Sequence, residues 1–178
     1  ALRLHNLAYR GLWNDEVVSI QYWTGSISDV IQQVLQQDIH PPLWFLIVNL
    51  VSHLGESDYV YRLPSAAFGV GSVCLIAVVG DRLLSKQTGI VAAAILSISS
   101  FHLFHSQEAR MYSVYCFLSL LSSLVLWVAL NHRSWATWSA FGLSALLILY
   151  THYFAFILVA IQCSFAAIYL LHSKIVHL

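Results

Sequence analysis

Three short polar clusters in an otherwise apolar sequence hold the residue types that do chemistry. Asp15 and Glu16 are adjacent carboxylates, His40 precedes two prolines, and residues 107–110 place Glu108 and Arg110 two positions apart. A carboxylate can take a proton from a hydroxyl as a bond forms, and cationic or polar side chains can stabilise charge that builds on a phosphate. Each cluster also has an ordinary interpretation as solvated loop charges, a turn or an interfacial loop. Whether these residues take part in a reaction therefore depends on how the surrounding helices and loops position the three clusters.

The composition indicates a membrane protein. Hydrophobic residues make up 59% of the 178 and charged residues 9%, whereas an ordinary soluble domain has about 45–50% and about 25%. Eight Lys and Arg residues balance eight Asp and Glu residues, so no basic surface is available for a nucleic acid. We therefore expect an all-α, polytopic membrane helix bundle and no nucleic-acid partner.

Six apolar segments are candidates for the membrane part, although a spanning helix needs about 20 apolar residues and some fall short. The first is short and contains Asn49 and His53, and only Thr151 and His152 separate the last two, which form either a hairpin or a re-entrant unit. Two serines at 99 and 100 predict an irregular segment end. We expect five or six membrane segments, at residues 42–54, 63–80, 88–104, 111–130, 135–150 and 153–171.

A polar head, residues 1–41, precedes these segments, and six of the eight acids lie before residue 60. Within it, Ser26 and Asp29 form a plausible capping box for a helix over residues 26–37. The opposite face is rich in glutamine, and the helix is too short to span a bilayer. It is predicted to lie on the membrane surface, the alternative being a helix packed on its own protein. Its apolar stripe has helical spacing and consists of Ile27, Val30, Ile31, Val34 and Leu35.

In chain order, the polar motifs resemble those of one enzyme class, the polyprenyl-phosphate-sugar glycosyltransferases of the GT-C class. Within it, the bacterial relatives of protein O-mannosyltransferases and lipid A aminoarabinose transferases are most similar. The resemblance covers about the first 115 residues, with a weaker match at residues 150–153. The matching motifs are Gly11-Leu12-Trp13-Asn14-Asp15-Glu16, Asp38-Ile39-His40-Pro41-Pro42-Leu43, Arg62-Leu63-Pro64-Ser65 and Ser106-Gln107-Glu108-Ala109-Arg110-Met111-Tyr112.

This resemblance implies a multi-pass protein of the bacterial inner membrane. It would move a sugar from a polyprenyl-phosphate donor to an acceptor hydroxyl on a glycan, glycolipid or protein. Residues 1–41 would form an extracytoplasmic catalytic loop, and residues 42–178 would lie in the membrane. In such enzymes a membrane helix precedes the acidic loop and further helices follow. We therefore expect the chain to be an N-terminal-proximal part of a longer enzyme.

The resemblance also implies a role for each polar residue. Asp15 would be the general base of a single inverting displacement, and Glu16 would orient the loop or help bind the acceptor or a metal. His40 occupies the position where relatives contact the donor phosphate or a metal. The resemblance therefore allows one cofactor, a divalent metal ion. The other residues expected to bind substrate or brace the cavity are Arg62, Gln107, Glu108, Arg110 and Tyr112.

Two other function classes fit parts of the sequence. In a transporter or channel, Glu108, Arg110 and His152 would line a polar pathway, although no inverted repeat is visible. In a metal- or haem-binding membrane protein, His102, His105 and Glu108 would share one helical face, a spacing that occurs in metal sites. A second pair of ligands is absent from the sequence. Metal analysis of the purified protein would separate this last class from the transferase.

Overall fold

The computed structural model describes residues 2–21 and 25–176, with side chains as far as residue 173. Over these residues the chain is helical and contains no strand, which confirms the all-α membrane-bundle class that the composition predicts. The helices in chain order are α1 (Asn14–Ile20), α2 (Ile27–Gln37), α3 (Leu43–Ser52), α4 (Asp58–Leu83), α5 (Lys86–Ile98), α6 (Ser100–Ser106), α7 (Tyr112–His132), α8 (Trp135–Leu149) and α9 (Ala155–Val176).

Helix α2 begins where the capping pattern predicts. Ser26 Oγ accepts a hydrogen bond from the Asp29 N–H at 3.3 Å, and the Asp29 carboxylate accepts one from the Ser26 N–H at 2.9 Å. These bonds satisfy backbone donors that the first helical turn leaves without partners. Hydrogen bonds from the Ser26 side chain and backbone also lower the pKa of the Asp29 carboxyl. The capping-box prediction is confirmed.

The apolar stripe of α2 is divided between two environments. Val30 and Val34 are fully buried in the main core, where α2 packs against α3. Ile27 and Leu35 lie at the edges of the stripe and are 64% and 71% exposed. The helix therefore packs on its own protein through the centre of the stripe and leaves apolar side chains outside. That these side chains lie in a membrane surface stays a prediction.

Among the described residues, three helices are long and apolar enough to cross a membrane: α4, α7 and the Ala155–Ser173 part of α9. Helices α5 and α6 pass the same test together but are bent by 65° where they meet. Helices α3 and α8 have 10 and 15 residues, fewer than the about 20 that a span needs. All six apolar segments of the sequence form helices, but three of them, or four with the bent pair, have spanning length. The number that cross the bilayer stays a prediction.

The segment predicted over residues 88–104 is broken in two. The backbone of Ser99 leaves the helical conformation with ψ at 115°, and its Oγ accepts a hydrogen bond from the His102 N–H at 3.4 Å, so a new helix begins. The Arg3 guanidinium donates to the carbonyls of Leu96 and Ser97 at the end of α5. The irregular end that the serine pair predicts is confirmed. The break is stabilised because the Ser99 cap and the guanidinium of Arg3 satisfy backbone groups at the bend.

Helix α4 is the centre of the bundle and packs most extensively against α5 and α7. Its close approach to α5 requires two glycines, since a Cβ at Gly80 would overlap the backbone of Gly89. A third glycine, Gly69, leaves room for the side chain of Ser106 on α6. Helix α4 thereby holds α6, and the loop that follows it, against the polar head.

Candidate active site

The two adjacent carboxylates of the polar head have different surroundings. Glu16 is fully buried, and its carboxylate receives two hydrogen bonds from Arg62, at 2.8 Å from Nε and 2.6 Å from Nη2. The backbone N–H of Ala109 donates to the same carboxylate at 2.7 Å, and that of Trp13 at 3.3 Å. Four protein donors therefore occupy Glu16. We call Glu16, Arg62 and the backbone groups bound to them the anchor.

Arg62 on α4 extends the anchor to the segment that precedes α1. Its Nη1 donates to the carbonyls of Leu7 and Arg10 at 2.9 and 2.6 Å, and its Nη2 donates to the carbonyl of Gly11 at 3.1 Å. The side chain is buried, with 4% of its surface exposed. A bidentate arginine–carboxylate pair has a fixed geometry, and here its remaining donors are also used. Of the two roles that the sequence leaves open for Arg62, this geometry favours the structural one.

Asp15 lies in the first turn of α1 and is exposed. Its backbone carbonyl accepts hydrogen bonds from Ser19 Oγ at 2.9 Å and from Arg110 Nη1 at 3.0 Å. Arg110 Nη1 also donates to Ser19 Oγ at 3.0 Å. No described residue donates a hydrogen bond to the Asp15 carboxylate or forms an ion pair with it. The backbone of Asp15 is therefore held by the protein, whereas its carboxylate is exposed and has no partner among the described residues.

The loop between α6 and α7 lies against the polar head. Gln107 Nε2 donates to the carbonyls of Leu2 and His5 at 3.2 and 2.9 Å. Glu108 is 5% exposed, and its Oε2 lies 2.8 Å from His105 Nδ1. Burial raises the pKa of the Glu108 carboxyl above its usual range, although His105 opposes this change. Both Glu108 and Arg110 are buried and make close polar contacts with other described residues, as expected for charged side chains removed from water.

Aromatic and imidazole rings converge beside this loop. His105 lies 4.7 Å from Tyr112 between ring centroids, Tyr112 lies 6.2 Å from His152, and His152 lies 5.5 Å from His40. Three chain segments supply them: the turn after α2, the α6–α7 region and the turn between α8 and α9. We call this group the ring cluster, with members His40, His105, Tyr112, Tyr115, His152 and Tyr153.

Charged groups border the ring cluster. Asp38 Oδ1 lies 2.8 Å from both the ring Nδ1 and the backbone nitrogen of His40. The Arg110 guanidinium stands 5.8 Å above the ring of Tyr112. Burial lowers the pKa of His152, and the charges of His40 and Arg110 lower it further. The surroundings of His152 therefore favour its neutral form.

Several contacts of the site residues could not be predicted from the sequence motifs. Asp38 stands two residues before His40 in a quoted motif, yet its bond to the imidazole is visible only in the structure. His105 was considered as a metal ligand and is instead the partner of Glu108. His152 belongs to the weakest motif, and only the ring contacts place it beside His40. Arg3 has no motif at all.

The metal-binding interpretation is not supported by the geometry. In the part of the chain that the structure describes, no group of three or more His, Cys, Asp or Glu side chains could hold a metal ion. His102 Nδ1 lies 2.9 Å from Arg3 Nη2, whereas His105 contacts Glu108. The alternative in which His102, His105 and Glu108 share a metal or haem site is therefore not supported, because the two histidines have different partners, Arg3 and Glu108. These residues do not fit a divalent ion either, and no step below involves one.

Comparison with known proteins gives one result that bears on this geometry. The model of a family described as dolichyl-phosphate-mannose-protein mannosyltransferase matches residues 39–178. The match includes the ring cluster, Arg62 and the α6–α7 loop, and it begins after Asp15, Glu16 and α2. Neither a curated protein nor a solved structure matches the chain.

Proposed function

The chain belongs to the dolichyl-phosphate-mannose-protein mannosyltransferase family, and on that premise we propose that it holds the catalytic loop of a membrane glycosyltransferase. The donor is a sugar linked to a polyprenyl phosphate, and the acceptor is a hydroxyl group. The contrast between the exposed, unpartnered carboxylate of Asp15 and the fully engaged carboxylate of Glu16 carries the proposal. Of these two adjacent acids, only Asp15 can accept a proton without breaking an ion pair.

In the proposed reaction, Asp15 accepts the proton of the acceptor hydroxyl while the acceptor oxygen bonds to the anomeric carbon. The bond between that carbon and the phosphate oxygen breaks at the same time, and both of its electrons leave with the phosphate. The leaving group is already an anion, so no strong acid is required. A single displacement of this kind inverts the anomeric configuration. Proton transfer to a positioned side chain contributes about 10²–10⁴-fold to a rate.

The ring cluster is the proposed binding site for the donor phosphate. His40 lies next to His152 and Tyr153, and Arg110 lies over Tyr112, so imidazole, phenol and guanidinium donors come from separate elements. Donors held in place before the reaction stabilise charge as it develops on a leaving group. The carboxylate of Asp38 keeps His40 in a defined orientation. Glu16, Arg62, Gln107 and Glu108 hold the elements that present these groups.

We also propose how this active site meets the bilayer. The isoprenoid tail of the donor lies among the apolar helices, and its phosphate lies at the depth of the polar head. The exposed edges of the α2 stripe, Ile27 and Leu35, rest in the membrane surface beside it. The site faces the extracytoplasmic side of a bacterial inner membrane. The family description names a protein as the acceptor, and a protein hydroxyl is the first acceptor to test.

The decisive experiment compares Asp15→Asn with wild type in sugar transfer from polyprenyl-phosphate donors, using full-length protein at matched expression. Asparagine retains the shape of the side chain but cannot accept the proton, so turnover should fall by about 10²–10⁴-fold while donor binding persists. His40→Ala should instead weaken donor binding, which is measured separately with a radiolabelled donor. Equal transfer by wild type and Asp15→Asn would remove Asp15 from the mechanism.

A further inference from the structure

The carboxylate of Asp15 is positioned through its backbone. No described residue donates a hydrogen bond to this carboxylate or forms an ion pair with it, so no described side chain holds it in one direction. A general base must lie within hydrogen-bond reach of the proton that it accepts. The place of the carboxylate therefore follows from where the first turn of α1 holds the backbone of Asp15.

Helix α1 cannot fix this place alone. It has seven residues, whereas isolated helices shorter than about 12–15 residues are marginal in water. Two consecutive residues of the α6–α7 loop hold its first turn. The Ala109 N–H donates to the Glu16 carboxylate at 2.7 Å. Arg110 Nη1 donates to the Asp15 carbonyl at 3.0 Å, so the loop binds both residues of the acidic pair.

Ser19 completes the contact between Arg110 and the Asp15 carbonyl. It is 1% exposed, its hydroxyl donates to the Asp15 carbonyl at 2.9 Å, and the same hydroxyl accepts from Arg110 Nη1 at 3.0 Å. A guanidinium Nη carries two hydrogens, and a hydroxyl donates and accepts at once. The three groups therefore form a closed ring of hydrogen bonds. Ser19 lies outside the motifs that match the enzyme class.

Arg110 is itself fixed to the bundle. Its backbone carbonyl accepts a hydrogen bond at 3.0 Å from Ser65 Oγ on α4, and Ser65 is fully buried. The Arg110 side chain forms no ion pair with a described residue. Because a buried cation needs hydrogen bonds to replace its water, the oxygens of Asp15 and Ser19 are important to it. Contacts thus run from α4 through Arg110 to the backbone of Asp15.

The bond from Ser19 to its own helix would mean little without the arginine. Serines often bond the carbonyl four residues earlier in a helix, and Ser72 on α4 does so with Phe68 at 2.8 Å. No arginine of the described chain donates to Ser72, whereas Arg110 donates to Ser19. Ser72 is also fully buried, which makes it a matched control for Ser19.

We propose that Ser19 is a positioning residue of the sugar transfer, an inference that rests on the function proposed above. With Arg110, it holds the backbone of Asp15 so that the carboxylate meets the acceptor hydroxyl. Ser19 is buried and therefore acts through Asp15. Loss of its hydroxyl should slow the transfer step and leave donor binding intact.

Single-turnover transfer from radiolabelled polyprenyl-phosphate mannose to a threonine-rich peptide, by the full-length protein in nanodiscs, measures this effect. Titration with the same donor gives the amount bound, so each rate is expressed per bound donor. Ser19→Ala should bind the donor like wild type and transfer its sugar about 10–10²-fold more slowly, since misplacement by about 1 Å can cost about 10²-fold. Ser72→Ala should transfer at the wild-type rate. A partly unfolded variant would instead bind less donor and keep its rate per bound donor.

A double-mutant cycle tests whether Ser19 acts through Asp15. If the hydroxyl places the carboxylate, its removal has no further effect once Asp15→Asn has removed the base. The double variant should therefore transfer at the rate of Asp15→Asn, whereas independent roles would multiply the two losses. If Ser19→Ala does not fold, Ser19→Cys replaces it, because a thiol fills the same position and is a weak donor and a weak acceptor.

Three results would overturn the proposal: a wild-type rate per bound donor in Ser19→Ala, equal losses in Ser19→Ala and Ser72→Ala, or multiplied losses in the double variant. If Asp15→Asn is slow in the same assay, the proposed function stands in each of these cases. A wild-type rate in Asp15→Asn instead overturns the proposed function, and with it the base that Ser19 would position.

Discussion

The anchor and the ring cluster both include residues of the α6–α7 region, and they differ in how completely their polar groups are satisfied. In the anchor, Glu16 receives four protein donors and Arg62 donates to three further carbonyls. In contrast, the carboxylate of Asp15 has no donor from the described residues, and neighbouring ring centroids of the ring cluster lie 4.6–6.2 Å apart. Groups that are fully engaged hold the structure, whereas groups with open positions can meet a substrate.

This difference is informative because residue type does not explain it. Asp15 and Glu16 are neighbours, and each could serve as a base or as an ion-pair partner. Burial separates them, since a buried carboxylate needs a counter-charge and hydrogen bonds to compensate for lost hydration. The four predictions below test this difference by measuring how substitutions at buried, engaged residues and at exposed residues change the stability of the protein.

Removing the arginine of the anchor should have the largest effect. Arg62→Met leaves the carboxylate of Glu16 buried without its counter-charge and three carbonyls without their donor, so stability should fall by about 3–5 kcal/mol. Thermal unfolding in nanodiscs measures the loss. Arg82→Met on the same helix is the control, because Arg82 is exposed and its loss should cost about 0.5 kcal/mol or less. Similar losses of stability for Arg62→Met and Arg82→Met would show that Arg62 contributes no more to stability than an exposed arginine does.

Filling the contact between α4 and α6 should have the next largest effect. A Cβ at position 69 overlaps the buried side chain of Ser106, so Gly69→Ala should cost about 1–3 kcal/mol, the usual range for an overpacked interior. Gly142→Ala is the matched control, because no atom lies within 4 Å of a Cβ there, and it should be neutral or slightly stabilising. A harmless Gly69→Ala would show that α6 is not held by this contact.

The pH dependence of stability should report the environment of His152. Because its pKa is lowered in the folded state, mainly by burial, an unfolded chain binds its proton more readily than the folded chain does. The contribution of His152 to stability should therefore be constant above about pH 7 and decrease as the pH falls below the ordinary histidine value of about 6.5. Unfolding measured from pH 7.5 to 5 should show a smaller decrease in His152→Gln. The same dependence of stability on pH in wild type and in His152→Gln would contradict this prediction.

The smallest change in stability is expected at Asp15. Its carboxylate is exposed and without a partner among the described residues, so Asp15→Asn should alter stability by no more than about 0.5 kcal/mol. Glu16→Gln makes the same chemical change one residue later and should destabilise far more, because the amide cannot replace the buried negative charge beside Arg62. Equal melting curves for Asp15→Asn and Glu16→Gln would show that the two carboxylates do not differ in their contribution to stability.

The sequence alone was sufficient for properties that depend on local chemistry. Composition and apolar segments predicted an all-helical membrane bundle, because too few charges exist to cover a water-facing surface. The Ser26 and Asp29 pair predicted the start of α2, since a capping box is formed within four residues. The serines at 99 and 100 predicted an irregular segment end for the same reason. The order of the polar motifs suggested the enzyme class, which the family match over residues 39–178 supports.

Tertiary structure alone decided which of these polar residues meet. Glu16 and Arg62 are 46 positions apart, and Arg110 and Asp15 are 95 apart, distances at which sequence patterns carry no information about contact. The separation of Asp15 from Glu16, the turn of His102 towards Arg3 and the contact of Ser19 with Arg110 all depend on burial by other helices. The sequence determines which groups are able to ionise or donate. Packing determines which of them lose their water, and therefore which ones must find a partner and which remain available for a substrate.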